Sequence, residues 1–263
     1  MNKSHIRDGT VTIKTRHLLL LGIATVLIAG ATLYYKPSLE KPSLTTLKTN
    51  NAPKLDIPAS IKTIWINVGT HLDPVLPPAD DKSIMVIGFE PNLDLLERVR
   101  VNKYERLQVI PAAVANFHGV GSFRLSNNGG ASSSLAKFVP RAEKLDSGEV
   151  SFVPIVRLED IMKQIPRHIN VESIKIDAQG FDLEVIKSAG EFVTRFTTIT
   201  AEIVANDDLA YYKDVDNSRK SWMAYMTKYG FKKEHEDCNG VPQEELDKGV
   251  RCEEANVRWR RSN

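Results

Sequence analysis

The sequence lacks most patterns that announce a function at sight. Net charge is only +2, with 35 Lys and Arg against 33 Asp and Glu, so no strongly basic face points to nucleic acid. No internal repeat is visible, which excludes a solenoid or propeller. There is no G-x-S-x-G and no Walker pattern, which removes the commonest hydrolase and nucleotide-hydrolase readings. No G-x-G-x-x-G follows the first strand-like run, so a nicotinamide-dependent oxidoreductase has little support. His71, His118, His168 and His235 have no ligand spacing, and no metal site is expected. No N-x-S/T site follows residue 35, so glycosylation gives no clue to sidedness.

What is present begins with an uncharged run from Leu18 to Tyr35. Its length matches the lower end of the roughly 17–25 residues that span a bilayer. Lys3, Arg7, Lys14 and Arg16 precede it against the single acid Asp8, which predicts a cytosolic N-terminus and a single-pass type II anchor. A cleaved signal peptide is the alternative, since Ala29-Gly30-Ala31 offers small residues near the end of the run. A buried core helix fits less well, because the apolar character is all-round. Residues 36–60 carry Pro37, Pro42, Pro53 and Pro58 among polar residues and read as an extended stem. The expected plan is a basic tail over 1–17, an anchor over 18–35, a stem over 36–60 and one folded domain over 61–263. That plan places the domain in the lumen of the endoplasmic reticulum or Golgi.

Within the domain, apolar runs at 63–68, 83–89, 107–110, 151–156, 174–176 and 197–203 predict strands. Residues 119–125 predict an added strand, and Asn127–Ser134 a flexible loop. Helices are expected over 93–101, capped by Asn92, over 158–165, after Asp182, and over 221–229, stopped by Gly230. Residues 232–238 and 255–260 predict a closing antiparallel hairpin. The alternation of strand and helix predicts an α/β fold, a Rossmann-like doubly wound and mostly parallel sheet.

In such sheets ligands bind at the carboxyl ends of the strands. The polar residues there are Asn67-Val68-Gly69, Glu90-Pro91, Asp177-Ala178-Gln179-Gly180 and Glu202. Glu90 ends the second strand about 20 residues after Gly69, the place from which a carboxylate accepts hydrogen bonds from ribose hydroxyls.

These residues lie in longer motifs: Trp65-Ile-Asn-Val-Gly-Thr70, Gly88-Phe-Glu-Pro91, Ala112-Ala-Val-Ala-Asn116, the loop from Gly130 to Leu135, and Ile174-Lys-Ile-Asp-Ala-Gln-Gly-Phe-Asp-Leu-Glu184. Over residues 61–260 the sequence resembles the FkbM-type methyltransferases, a branch of the class I S-adenosylmethionine-dependent enzymes. The resemblance implies S-adenosyl-L-methionine as cofactor. It implies that Asn67, Gly69 and Thr70 approach the methionine part, that Glu90 and Pro91 lie at the ribose, and that the stretch from Ala113 to Asn116 lies near the adenine. Asp177, Gln179 and Glu202 would face methyl transfer. Two departures stand out. Asn67 occupies a position where the family usually has Asp, and Gln179 one where it often has Glu. Pro74, Pro77 and Pro78 also argue against the helix that normally follows the first strand and presents N–H groups to the cofactor carboxylate.

Two functions remain open at this stage. One is O-methylation of a glycan, lipid or small-metabolite hydroxyl, with Asp177 as first candidate base and Glu202 as second. The other is a non-catalytic binding or scaffold protein that keeps the fold. Asp177 also reads as a turn aspartate, and Glu202 as a buried salt-bridge partner. A divalent cation between them is chemically compatible but not demanded. Cys238 and Cys252, the only cysteines, lie on the closing hairpin. They pair if the domain is lumenal, contributing about 3 kcal/mol, and are free thiols otherwise. The oligomeric state is not legible.

Overall fold

A computed structural model describes residues 52–100 and 104–262. The basic tail, the apolar run 18–35 and the stem as far as residue 51 lie outside the described residues. No helix among the described residues is long and apolar enough to cross a membrane.

The centre is a seven-stranded sheet. Its strands in chain order are β1 (Thr63–Val68), β2 (Ile84–Phe89), β3 (Leu107–Ile110), β8 (Asn170–Ile176), β9 (Phe196–Val204), β11 (Phe231–Cys238) and β12 (Glu254–Arg261). Between β3 and β8 run β4 (Ala113–Val114), β5 (Gly119–Ser126), β6 (Lys137–Phe138) and β7 (Asp146–Val156), and β10 (Tyr212–Lys213) follows β9. The order across the sheet is β11-β12-β9-β8-β1-β2-β3. Strand β1 pairs in parallel with both β2 and β8, and β12 is antiparallel to both β9 and β11. The closing hairpin is therefore not simply added at the edge, because β12 inserts between β9 and β11. The strand order reverses at β1, which puts the topological switch point between β1 and β8.

Helices α1 (Leu93–Arg100), α2 (Leu158–Met162), α3 (Asp182–Lys187), α4 (Arg219–Lys228) and α5 (Gln243–Asp247) are short. Asn92 caps α1, its Oδ1 accepting from the N–H of Asp94 at 3.1 Å. Ser218 caps α4 in the same way through the N–H of Ser221. One core joins Ile64, Ile66, Ile174, Ile176, Ile199, Ala201, Val257 and Trp259 of the sheet to residues of α2, α3 and α4. Trp222 of α4 stacks on Trp259, ring centroids 4.9 Å apart.

Two expectations change here. The sheet is not wound on both faces along its whole length. Opposite the core just described, Ser173, Lys175, Thr198, Thr200, Asn256 and Arg258 are half-buried or exposed, and no helix among the described residues covers them. The folded part also extends upstream of Ile61. Leu55 is buried in the core, its N–H donates to Gln164 Oε1, and the N–H of Asp56 donates to Gln108 Oε1. Prolines did not keep this part of the stem free, because two glutamine side chains satisfy its backbone.

No helix lies between β1 and β2, in line with the prolines. Pro74 and Pro77 are buried, and Asn67 Oδ1 accepts the N–H of Val75 at 2.9 Å. The loop is thus fastened onto β1 by the side chain of Asn67.

Candidate active site

The carboxyl ends of β1, β2 and β8 open into a cleft of about 360 Å³, inside the roughly 300–1,000 Å³ range of small-molecule sites. Gly69 shapes its floor. Its φ is +71°, and a Cβ there would stand 1.9 Å from the carbonyl oxygen of Asp177. Only glycine lets the ends of β1 and β8 meet this closely.

Glu90 leaves the end of β2 with 4% of its surface exposed and lines the cleft. Its Oε2 accepts the N–H of His71 at 2.7 Å, and its Oε1 accepts the N–H of Asn92 at 2.9 Å. Burial pushes its pKa up, while the two N–H groups oppose that shift. Each carboxylate oxygen keeps a second lone pair, so the group is pinned and still able to accept from a ligand. Thr70, Pro91 and Ala113 also line the cleft, with Phe89 and Phe123 as apolar walls. Asn67 and Asn116 do not. Asn67 holds the loop onto β1, and its buried Nδ2 has no partner among the described residues. Asn116 donates to Glu184 of α3 instead.

Asp177, Gln179 and Glu202 meet through one amide. Gln179 Nε2 donates to Asp177 Oδ1 at 2.7 Å and to Glu202 Oε2 at 2.9 Å. The Tyr212 hydroxyl lies 2.7 Å from Gln179 Oε1 and 3.0 Å from the Ser132 carbonyl, and its one proton is shared between these two acceptors. Gln179 has φ +50°, and the next residue, Gly180, lies so close to the Tyr212 ring that a Cβ would stand 2.7 Å from it. Asp182 begins α3 rather than preceding it. It accepts the N–H groups of Ala178 and Gly180 and so braces the turn. The loop 127–134 is tied by its own polar side chains, and Ser134 Oγ donates to the Gln179 carbonyl at 2.6 Å.

Asp177 and Gln179 line the cleft; Glu202 lies behind Gln179, in a second hollow. Asn239 Nδ2 donates to Glu202 Oε1 at 2.6 Å. Asn239 follows Cys238, which is bonded to Cys252, so the disulfide secures the segment that reaches Glu202. Burial first and the Asp177 charge second push the Glu202 pKa up to about 7. Burial, then the charges of Glu202, Asp182 and Asp177, push Glu254 up to about 9. Carboxyls this crowded cannot all ionise at neutral pH.

Lys175, Tyr212 and Asn239 belong to this constellation and were not read from the sequence. A signal existed for Lys175. It is a cation on a run of apolar residues, two places before Asp177 and so on the same face of β8.

A family model described as the methyltransferase FkbM domain matches residues 67–233. The chain belongs to the FkbM methyltransferase domain family. It is also similar to several solved structures. With methyltransferase FkbM from Methylobacillus flagellatus KT it shares 10% identity, over 76% of this chain and 44% of that one, with a TM-score of 0.41. With Aeropyrum pernix fibrillarin, solved with natively bound S-adenosyl-L-methionine, it shares 9% identity over 78% and 70%, with a TM-score of 0.38. With EvdMO1 it shares 11% identity at a TM-score of 0.39, over 76% of this chain but only 37% of that one. No curated protein matches the chain. The family and the strand order together make this an FkbM domain on a mixed α/β Rossmann-like fold, for which S-adenosylmethionine is the cofactor.

Two outcomes are expected from this geometry. Gly69→Ala should destabilise the domain by about 2–4 kcal/mol in urea unfolding, through a left-handed backbone plus a clash with Asp177. The second concerns Glu202, which ionises near 4.5 when unfolded and near 7 when folded. Its stabilising share is therefore complete below 4.5 and lost as pH rises through 7. The melting temperature of the wild type relative to Glu202→Gln should fall between about pH 5 and pH 8. A difference independent of pH would contradict the shift.

Proposed function

We propose that this chain is a methyltransferase that moves the methyl group of S-adenosylmethionine to a hydroxyl oxygen. The observation that carries this is Glu90. It is a nearly buried carboxylate at the end of β2, pinned by two backbone N–H groups beside Gly69, and presented to a cleft at the switch point. The cleft fits the cofactor. Its polar end has Glu90 for the ribose hydroxyls, Gly69 and Thr70 leave room at the turn, and Phe89, Pro91, Ala113 and Phe123 give apolar surface for a base.

When bound, S-adenosylmethionine supplies a methyl group already activated by a positive sulfur. The protein then has to place an acceptor and take its proton. Asp177 lines the cleft and would take that proton from the acceptor hydroxyl as the bound cofactor gave up its methyl group. Gln179 holds Asp177 in place and joins it to Glu202, whose pKa near 7 suits a second proton acceptor. A hydroxyl acceptor is weakly acidic and gains from a base at its oxygen, the place Asp177 occupies at the cleft.

The chain is further proposed to sit in the secretory pathway, anchored through residues 18–35 with its domain in the lumen. The Cys238–Cys252 bond supports an oxidising compartment.

Calorimetry of the full chain in a neutral detergent tests the function. S-adenosylmethionine is expected to bind, and Glu90→Ala to weaken binding at least about tenfold through lost charge-assisted hydrogen bonds, with an unchanged circular dichroism spectrum. No binding at millimolar cofactor would sink the reading.

A further inference from the structure

Parallel strands are almost always covered on both faces. Over β8 and β9, and onward across β12 and β11, one face of this sheet carries polar side chains that are mostly half-buried or exposed among the described residues. Register sets two rungs of that face. In one, Lys175 lies beside Thr200, Thr200 beside Arg258, and Arg258 beside His235. In the other, two residues away along β9, Glu202 lies beside Asn256 and Asn256 beside Asp237.

These rungs form a groove of about 350 Å³ without a single apolar lining residue. Asp177 and Lys175 line both this groove and the cleft, so their ion pair forms a wall common to the two hollows. Asp177, Glu202 and Lys175 stand at the β8 and β9 end, and Arg258, His235 and Asp237 at the β12 and β11 end. Lys175 is paired with Asp177 at 3.1 Å, and His235 with Asp237. The Arg258 side chain is exposed and makes no hydrogen bond or ion pair with any described residue, although its charge acts on Glu234, which Arg260 already pairs. An unpaired guanidinium in a polar groove is suited to a bidentate anion.

We propose that this groove holds the methyl acceptor, and that the acceptor is a polyhydroxylated compound about one sugar ring long that carries a carboxylate or phosphate. Its reacting hydroxyl faces Asp177 and its anionic group faces Arg258. The proposal rests on the methyltransferase reading above. Two strand spacings and the rise of two strand residues separate Asp177 from Arg258, about 12 Å between their Cα atoms, and the long Arg258 side chain closes part of that span toward the length of one hexose. An aliphatic chain finds no apolar wall here, so a lipid acceptor would enter by its headgroup alone. The acceptor's hydroxyl proton passes to Asp177, as described for the transfer.

The test is calorimetry of the full chain in a neutral detergent, saturated with S-adenosylhomocysteine. Glucose 6-phosphate, glucuronate, glucose and the soluble short-chain lipid dihexanoyl phosphatidylinositol are the probes. At least one anionic probe is expected to bind about tenfold or more tighter than glucose, and to lose that advantage in Arg258→Ala. A lipid-only preference would assign the source to a membrane headgroup; a preference for the free sugars would assign it to a soluble acceptor. Glucose binding as tightly as every anion, or anion binding untouched by Arg258→Ala, overturns the proposal while leaving the methyltransferase reading intact. Failure of S-adenosylhomocysteine to bind removes that reading and the proposal with it.

Discussion

One amide keeps the centre of this molecule together. Asp177 and Glu202 end neighbouring parallel strands, and as two buried or half-buried carboxylates they repel. Gln179 lies between them and donates to both from a single nitrogen. The amide oxygen points the other way, toward the Tyr212 hydroxyl. Tyr212 in turn sits against Gly180, where no larger residue fits. The hydrogen bonds of Asp182 and Ser134 hold the same turn from the other sides. A Glu at position 179, common in the family, would bring a third negative charge to the pair. Here the neutral amide supplies hydrogen-bond donors instead.

The same turn fixes the two hollows. Gly69 presses against Asp177 and sets the width of the cofactor cleft. Glu202 and Asn239 close the far side, and the Cys238–Cys252 bond secures Asn239. The missing helix after β1 has a structural counterpart. Its place is taken by a proline-rich loop fastened by Asn67, while the sheet face over β8, β9 and β12 is left polar and open.

Much of this was legible in the sequence for a simple reason: each strand is an apolar run, and the residue that ends it is polar. Gly69, Glu90 and Asp177 were found that way, and the structure places all three at one cleft. Their positions on one hairpin left Cys238 and Cys252 either paired or free, and the structure joins them. What escaped depends on contacts between segments far apart in the chain. Asn67 and Asn116 carry the right residue type at the right strand ends, yet each turns to a neighbour, Val75 or Glu184, that no local pattern names. Tyr212 and Asn239 reach Gln179 and Glu202 from segments 33 and 37 residues away in sequence. The polar face was also hidden, because alternation along β8 and β12 shows that one face is polar but not that it lies bare.

The central claim is that the cofactor sits between Glu90 and Asp177, with its reacting end toward the Gln179 turn. A crystal structure of the chain with S-adenosylhomocysteine tests it most directly. The account predicts the ribose hydroxyls on the Glu90 carboxylate and the sulfur on the Asp177 side of the cleft, with the Gln179 amide still bridging Asp177 and Glu202. A ligand bound away from Glu90, or one whose sulfur points away from Asp177, would contradict it.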